Sequence, residues 1–212
     1  SIFGGIVAAN REIDLETAQM LKPIFLEIVM APSFAPDALE LLCTKKNLRV
    51  LKVDMSKDNT VRKQYVSMNG GMLVQDRDIN TKPVAADQCV TELKPTVEQL
   101  ADMEFAWKIV KHVKSNAIVV AKGGMTYGVG AGQMNRIGSA EIALKQAQNT
   151  LKEEGKDIMT EGLVLASDGF FPFNDCVALA AEYGIKAIVQ PGGSIRDEDS
   201  IKLANEKGIT ML

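Results

Sequence analysis

The chain has 212 residues, with 24 Lys/Arg against 27 Asp/Glu for a formal charge of −3, and 46% hydrophobic residues. At about 150 residues per domain this is one large domain or two small ones. The composition is that of an ordinary globular protein and excludes intrinsic disorder. The acidic balance argues against phosphate-driven binding of nucleic acid, and no apolar run of about 18 residues exists to cross a membrane. The cysteines Cys43, Cys89 and Cys176 lie far apart, and His112 is the single histidine. A structural zinc site needs about four close ligands, so no metal is expected. Unpaired cysteines point to a reducing, cytoplasmic setting.

Residues 6–9 are an apolar run between Gly4-Gly5 and Asn10-Arg11, which predicts a buried strand. Asp14 stands as the N-cap of a helix reaching about Pro23. A strand over 26–30 closes on Ala31-Pro32-Ser33, Pro36-Asp37 opens a second helix, and 48–53 alternates as a strand. This rhythm favours a parallel or mixed sheet with covering helices. Residues 54–95 are polar and weakly periodic, punctuated by Asn69-Gly70-Gly71 and Lys82-Pro83, with a short strand over 72–75. They read as a linker or arm between two lobes. Thr96 caps a helix to about residue 113 whose apolar stripe includes Leu100, Met103, Phe105, Ala106, Ile109 and Val110.

The second lobe, 96–212, is clearer. A strand over 117–121 turns at Gly123-Gly124 and pairs back over 126–130. A helix over 134–149, a strand over 163–166, a helix over 173–183 ending at Gly184, and a strand over 187–190 follow. A helix over 197–207 ends at Gly208, and 209–212 begins a last strand. Residues 1–53 look like the back part of a similar unit. Both ends run directly into apolar strands, so a piece of a longer chain is expected.

Three glycine-containing loops lie at strand ends of this lobe, where open α/β sheets bind ligands. The first is Gly128-Val129-Gly130-Ala131-Gly132-Gln133-Met134-Asn135-Arg136. Its glycines suit either an anion cradle at a helix start or close backbone packing. The spacing is wrong for a dinucleotide fingerprint. Arg136 adds a fork for a phosphate or carboxylate. The second loop holds Asp168, Gly169 and the aromatic run Phe170-Phe171-Pro172-Phe173 before Asp175. The aromatics suit a clamp on a flat heterocycle or a hydrophobic staple, and Asp168 and Asp175 suit helix caps. The third is Gln190-Pro191-Gly192-Gly193-Ser194-Ile195-Arg196-Asp197. Asn116 offers a carboxamide for a ligand amide or for a turn. His112 suits a helix C-terminus, Lys122 a solvated strand end, residues 152–157 an exposed loop, and the methionines core filler.

These segments in order, from Ser115-Asn116-Ala117-Ile118-Val119 through Gly130-Ala131-Gly132-Gln133-Met134-Asn135-Arg136, Ser167-Asp168-Gly169-Phe170-Phe171-Pro172-Phe173 and Gln190-Pro191-Gly192-Gly193-Ser194-Ile195-Arg196-Asp197, closely resemble the transformylase portion of the AICAR transformylase/IMP cyclohydrolase family. Phe3-Gly4-Gly5-Ile6-Val7-Ala8 and Glu27-Ile28-Val29-Met30-Ala31-Pro32 resemble it too, so the likeness spans essentially the whole chain. It implies cytidine-deaminase-like three-layer α/β lobes without zinc, the first truncated and the second nearly complete. It implies formyl transfer from 10-formyltetrahydrofolate to the 5-amino group of AICAR, in purine (IMP) biosynthesis, in a cytoplasmic homodimer. By position, Asn116, Arg136 and Phe170 resemble AICAR-binding residues, and Ile137, Asp175, Ser194 and Ile195 resemble residues facing the folate. Gly169 stands where the family usually has alanine. The family's catalytic Lys-His pair belongs upstream of Ser1, so this chain alone is expected to be nearly inactive. The alternative is a non-catalytic folate- or nucleotide-binding or interaction module derived from the enzyme. A zinc deaminase is a poor fit, because H-x-E and P-C-x-x-C are absent.

Overall fold

A computed structural model describes residues 3–54, 62–79 and 82–212, which form two compact units, 1–77 and 78–212. In the first, β1 (Gly5–Ala8), β2 (Leu26–Ala31) and β3 (Arg49–Lys52) form a parallel sheet in the order β1-β2-β3. The helices α1 (Leu15–Leu21) and α2 (Pro36–Cys43) are the connections that parallel pairing requires. Asp14 caps α1 by accepting from the Thr17 N–H at 2.9 Å, and Pro36 opens α2. The core of this unit gathers Ile13, Ala18, Leu26, Val29, Ala31, Ala38 and Leu42.

The stretch expected as one arm divides between the units. The strands β4 (Lys63–Met68) and β5 (Gly71–Asp76) form an antiparallel hairpin in the first unit, closed by Asn69-Gly70 with Gly70 at φ 80°. The shorter predicted strand over 72–75 is thus the middle of β5; β4 was missed because its polar residues alternate weakly. Residues 82–95 instead strap the second unit. Val84 and Cys89 pack on its core, the Val90 N–H donates to the Met211 carbonyl at 2.9 Å, and the Met211 N–H donates to Thr91 Oγ1 at 2.9 Å. The rest of the 54–95 expectation falls on 55–61 and 80–81, outside the described residues.

The second unit is a five-stranded mixed sheet between two helical layers. Its strands are β6 (Ile118–Lys122), β7 (Met125–Gly130), β8 (Val164–Ser167), β9 (Ala187–Val189) and β10 (Thr210–Met211), in the order β10-β9-β8-β6-β7. Strand β6 runs antiparallel to β7 and β8, while β8, β9 and β10 are parallel. The Gly123-Gly124 turn between β6 and β7 has φ 58° and 71°, the left-handed pair that a two-residue hairpin turn demands. Continuous apolar strands are what a sheet covered on both faces requires. The two-residue period sorts their side chains. Ile118, Val120, Leu163, Leu165 and Ile188 point to one core with α4 (Arg136–Glu153), α6 (Asp175–Glu182) and α7 (Asp197–Lys207). Ala117, Val119, Val164, Ala166, Ala187 and Val189 point to the other, covered by α3 (Val97–Val110) through Met103, Ala106 and Val110.

Thr96 and Gln99 form a reciprocal capping box at the start of α3, and Gly208 ends α7 at φ 64°. Three expectations are corrected. Helix α4 runs on to Glu153, into the start of the expected 152–157 loop, and a short helix, α5 (Ile158–Glu161), lies unforeseen between that loop and the strand. Lys122 is not a free solvated end: its ammonium lies 3.0 Å from the Glu161 carboxylate and also bonds the Glu161 carbonyl. The methionines are not mainly core filler. Met103 and Met211 are buried, but Met20, Met68, Met72, Met125, Met134 and Met159 are exposed.

Candidate functional site

The site is built where β6, β8 and α4 meet in the second unit. Asn116 stands two residues before β6, Ser167 ends β8, and Arg136 is the first residue of α4. Helix α4 is pulled close to the sheet by two glycines of β7. A Cβ at Gly128 would lie 1.8 Å from the Ala143 carbonyl oxygen, and one at Gly130 would lie 1.9 Å from that of Ser139. These two glycines therefore serve close backbone packing. They are also paired with Val120 and Ile118 in the sheet ladder, and the Gly132 N–H donates to the Lys114 carbonyl at 2.7 Å. The anion-cradle reading of this loop does not hold.

Asn135 caps α4, its Oδ1 accepting from the Gly138 N–H at 2.8 Å. Arg136 then reaches across to the ends of β6 and β8. Its Nη1 donates to Ser167 Oγ at 2.9 Å and to Asp168 Oδ1 at 2.5 Å, and its Nη2 donates to Asn116 Oδ1 at 3.1 Å. The Arg136 and Asp168 side chains are only 12% and 13% exposed. Asn116 is held in turn: its Nδ2 donates to the Gln133 carbonyl at 2.8 Å, and its own carbonyl accepts from Ser139 Oγ at 2.7 Å. The Ala117 N–H donates to Asp168 Oδ1 at 2.9 Å. Burial pushes the Asp168 carboxyl pKa up, but hydrogen bonds from Ser115, Arg136 and the Ala117 N–H outweigh it and hold the group below the usual carboxylate range.

Asp168 is the residue that sequence reasoning missed as a site member. It was read as a helix cap, yet Asn174 occupies the N-cap position of α6 and Asp168 anchors Arg136. Its place directly after an apolar strand was the available signal. Beside it lies a cavity of about 290 Å³ lined by Trp107, Val110, Lys111, Val113, Ser115, Asp168 and Asp78.

The aromatic run splits. Phe171 is fully buried in the core, as a staple would be, whereas Phe170 is 45% exposed and Phe173 is also exposed. Asn116 and Arg136 are in direct contact, and Phe170 follows Gly169, whose missing side chain faces the Arg136 guanidinium. The other four predicted residues are more scattered. Ile137 packs partly on the core, and Asp175 is exposed at the start of α6, its Oδ1 accepting from the Cys176 N–H at 2.8 Å. Ser194 Oγ accepts from the Arg196 N–H at 3.1 Å, and Ile195 is fully exposed. None of the four hydrogen-bonds another or the Asn116–Arg136 pair among the described residues. The two loops do meet where the Arg196 guanidinium lies 5.4 Å from the Phe173 ring centre.

Burial, and then the neighbouring Asp175 charge, push the Cys176 thiol up to about 12, so it stays protonated and inert. Among the described residues no group of three His, Cys, Asp or Glu side chains is placed to hold a metal ion, and no helix is long and apolar enough to cross a membrane. His112 lies past the end of α3, exposed, and lines neither the cavity nor the Arg136 cluster.

Over its full length the chain is 57% identical to the bifunctional purine biosynthesis protein PurH of Anoxybacillus flavithermus and 56% identical to that of Lactobacillus delbrueckii subsp. bulgaricus. It spans 40% of the length of each. Among solved structures it is similar to a deaminase/reductase of Thermotoga maritima, at 21% identity and a TM-score of 0.33, covering 53% of this chain and 34% of that one. The model of the AICARFT/IMPCHase bienzyme family matches residues 1–146, and the chain belongs to that family.

Proposed function

We propose that this chain forms part of an AICAR formyltransferase, carrying most of the folate-facing surface and part of the AICAR site. The observation that carries the reading is the fixed Arg136–Asn116 pair. Three hydrogen bonds hold the guanidinium, to Ser167, Asp168 and Asn116. Its remaining N–H groups, with the second amide proton of Asn116, form a donor-only edge. Such an edge suits the carboxamide oxygen or an anionic oxygen of AICAR, and Phe170 beside it suits the flat imidazole ring.

In the reaction the AICAR amine attacks the formyl carbon of 10-formyltetrahydrofolate. A C–N bond forms to the amine, the bond from formyl carbon to folate N10 breaks, the amine loses a proton and N10 gains one. In this chain Arg136, Asn116 and Asp168 bind and orient; the proton acceptor belongs to the Lys-His pair that the family resemblance places upstream. Ile137, Asp175, Ser194 and Ile195 face the folate. We read the three-layer second unit, 78–212, as a cytidine-deaminase-like lobe strapped by residues 82–95, and the parallel sheet of residues 1–53 as part of a first lobe. The protein works as a cytoplasmic homodimer in purine biosynthesis.

Calorimetric titration of the chain with AICAR, and separately with 10-formyltetrahydrofolate, tests this. Saturable AICAR binding lost in Arg136→Ala, and folate binding lost in Asp175→Ala, are expected. A folded chain that binds neither ligand, or binds both equally well after these substitutions, refutes the residue assignments.

A further inference from the structure

The 167–169 loop carries a residue whose contribution is the absence of a side chain. A Cβ built on Gly169 lies 2.6 Å from Arg136 Nη2 and 3.3 Å from its Cζ, so the guanidinium sits directly against the Gly169 backbone. The φ of Gly169 is not positive, so the backbone itself accommodates alanine. Only the arginine stands in the way. The same guanidinium makes the 3.1 Å bond to Asn116 and the bonds to Ser167 and Asp168.

We propose that Gly169 is a positioning residue for Arg136: the space it leaves lets the guanidinium rest withdrawn against the 167–169 loop while bonded to Asn116 and Asp168. Ordinary carbon contacts are about 3.5 Å, so a methyl group at 169 displaces Nη2 outward by about 1 Å. The 3.1 Å bond from Nη2 to Asn116 Oδ1 then has to re-form in a changed geometry. The resting position of Arg136 is therefore a property of this chain's glycine, not of the fold alone. The proposal bears on ligand recognition only through the reading that Arg136 meets AICAR. Its structural content is independent of that reading.

The test uses the 212-residue chain without ligand. Gly169→Ala, Arg136→Ala and the double variant are compared by urea unfolding, and the Arg136 guanidinium is followed by ¹⁵N NMR in the first. The expected result is a moved Arg136 Nε resonance in Gly169→Ala. The shift in urea midpoint caused by Gly169→Ala should disappear in the Arg136→Ala background. An unmoved resonance, or the same midpoint shift with and without Arg136, overturns the proposal. Should Gly169→Ala fold poorly, rescue by Arg136→Ala remains a decisive readout, because a merely structural defect of the loop is not relieved by removing the arginine. AICAR titration of the Arg136→Ala chain separates the two ideas. Unchanged affinity there refutes the functional reading and leaves the positioning role to stand or fall on the unfolding cycle.

Discussion

Substituting Gly130 by alanine tests whether the glycine-rich strand β7 exists to bring α4 onto the sheet. The added Cβ lies 1.9 Å from the Ser139 carbonyl oxygen, 2.6 Å from the carbonyl carbon and 2.9 Å from its Cα. All three are helix backbone and none can rotate away. Restoring an ordinary contact requires α4 to retreat by about 1.5 Å. The retreat loosens Ser139, Ala140, Ala143, Leu144 and Ala147, all buried between helix and sheet. Overpacking a core costs about 1–3 kcal/mol. With rigid backbone on both sides the expected loss is at the upper end, about 3 kcal/mol. Ser139 also donates to the Asn116 carbonyl at 2.7 Å, and Arg136 begins the same helix. The site is therefore expected to loosen together with the fold. Urea unfolding of the chain, followed by helical circular dichroism, should show the midpoint falling by roughly 1–3 M for a slope of about 1–3 kcal/mol per molar. A loss below about 1 kcal/mol, with AICAR affinity unchanged, would refute the close-packing argument.

Three further outcomes are expected. Because Asp168 has a folded pKa below its ordinary value of 3.8, its contribution to stability is complete above pH about 4 and is lost as pH falls through the folded pKa; Asp168→Asn should flatten that acid limb of the stability curve, and an unchanged limb contradicts the Arg136–Asp168 assignment. Phe170→Ala should leave the urea midpoint nearly unmoved, since the ring is 45% exposed, yet weaken AICAR binding by about 5- to 100-fold, the range for loss of an aromatic stacking partner; equal affinity by calorimetry removes Phe170 from the site. Asn135→Ala deletes the cap on the Gly138 N–H and should cost about 1 kcal/mol in the same unfolding assay, with no cost counting against Asn135 as the helix start.

The sequence by itself determined the elements of the second unit and their order along the chain, α5 excepted. Apolar runs such as 117–121 and 163–166, and the stops at Gly184 and Gly208, are local signals that need no tertiary information. Recognition of the family came the same way, from several loops taken in order, and with it the nomination of Asn116, Arg136 and Phe170. The tertiary structure alone decided what the loops are for. Spacing left Gly128 and Gly130 open between binding an anion and packing a helix; the approach of α4 settles it, because a backbone-to-backbone distance is invisible in a one-dimensional pattern. Asp168 looked like a helix cap, since aspartate before a helix usually is one, until the ends of β6 and β8 brought it to Arg136 from 32 residues away. The division of Phe170 and Phe171 between surface and core follows the same logic. Local propensity specifies which residue types stand in a loop, but which of them point at one another is fixed by strand order and helix packing.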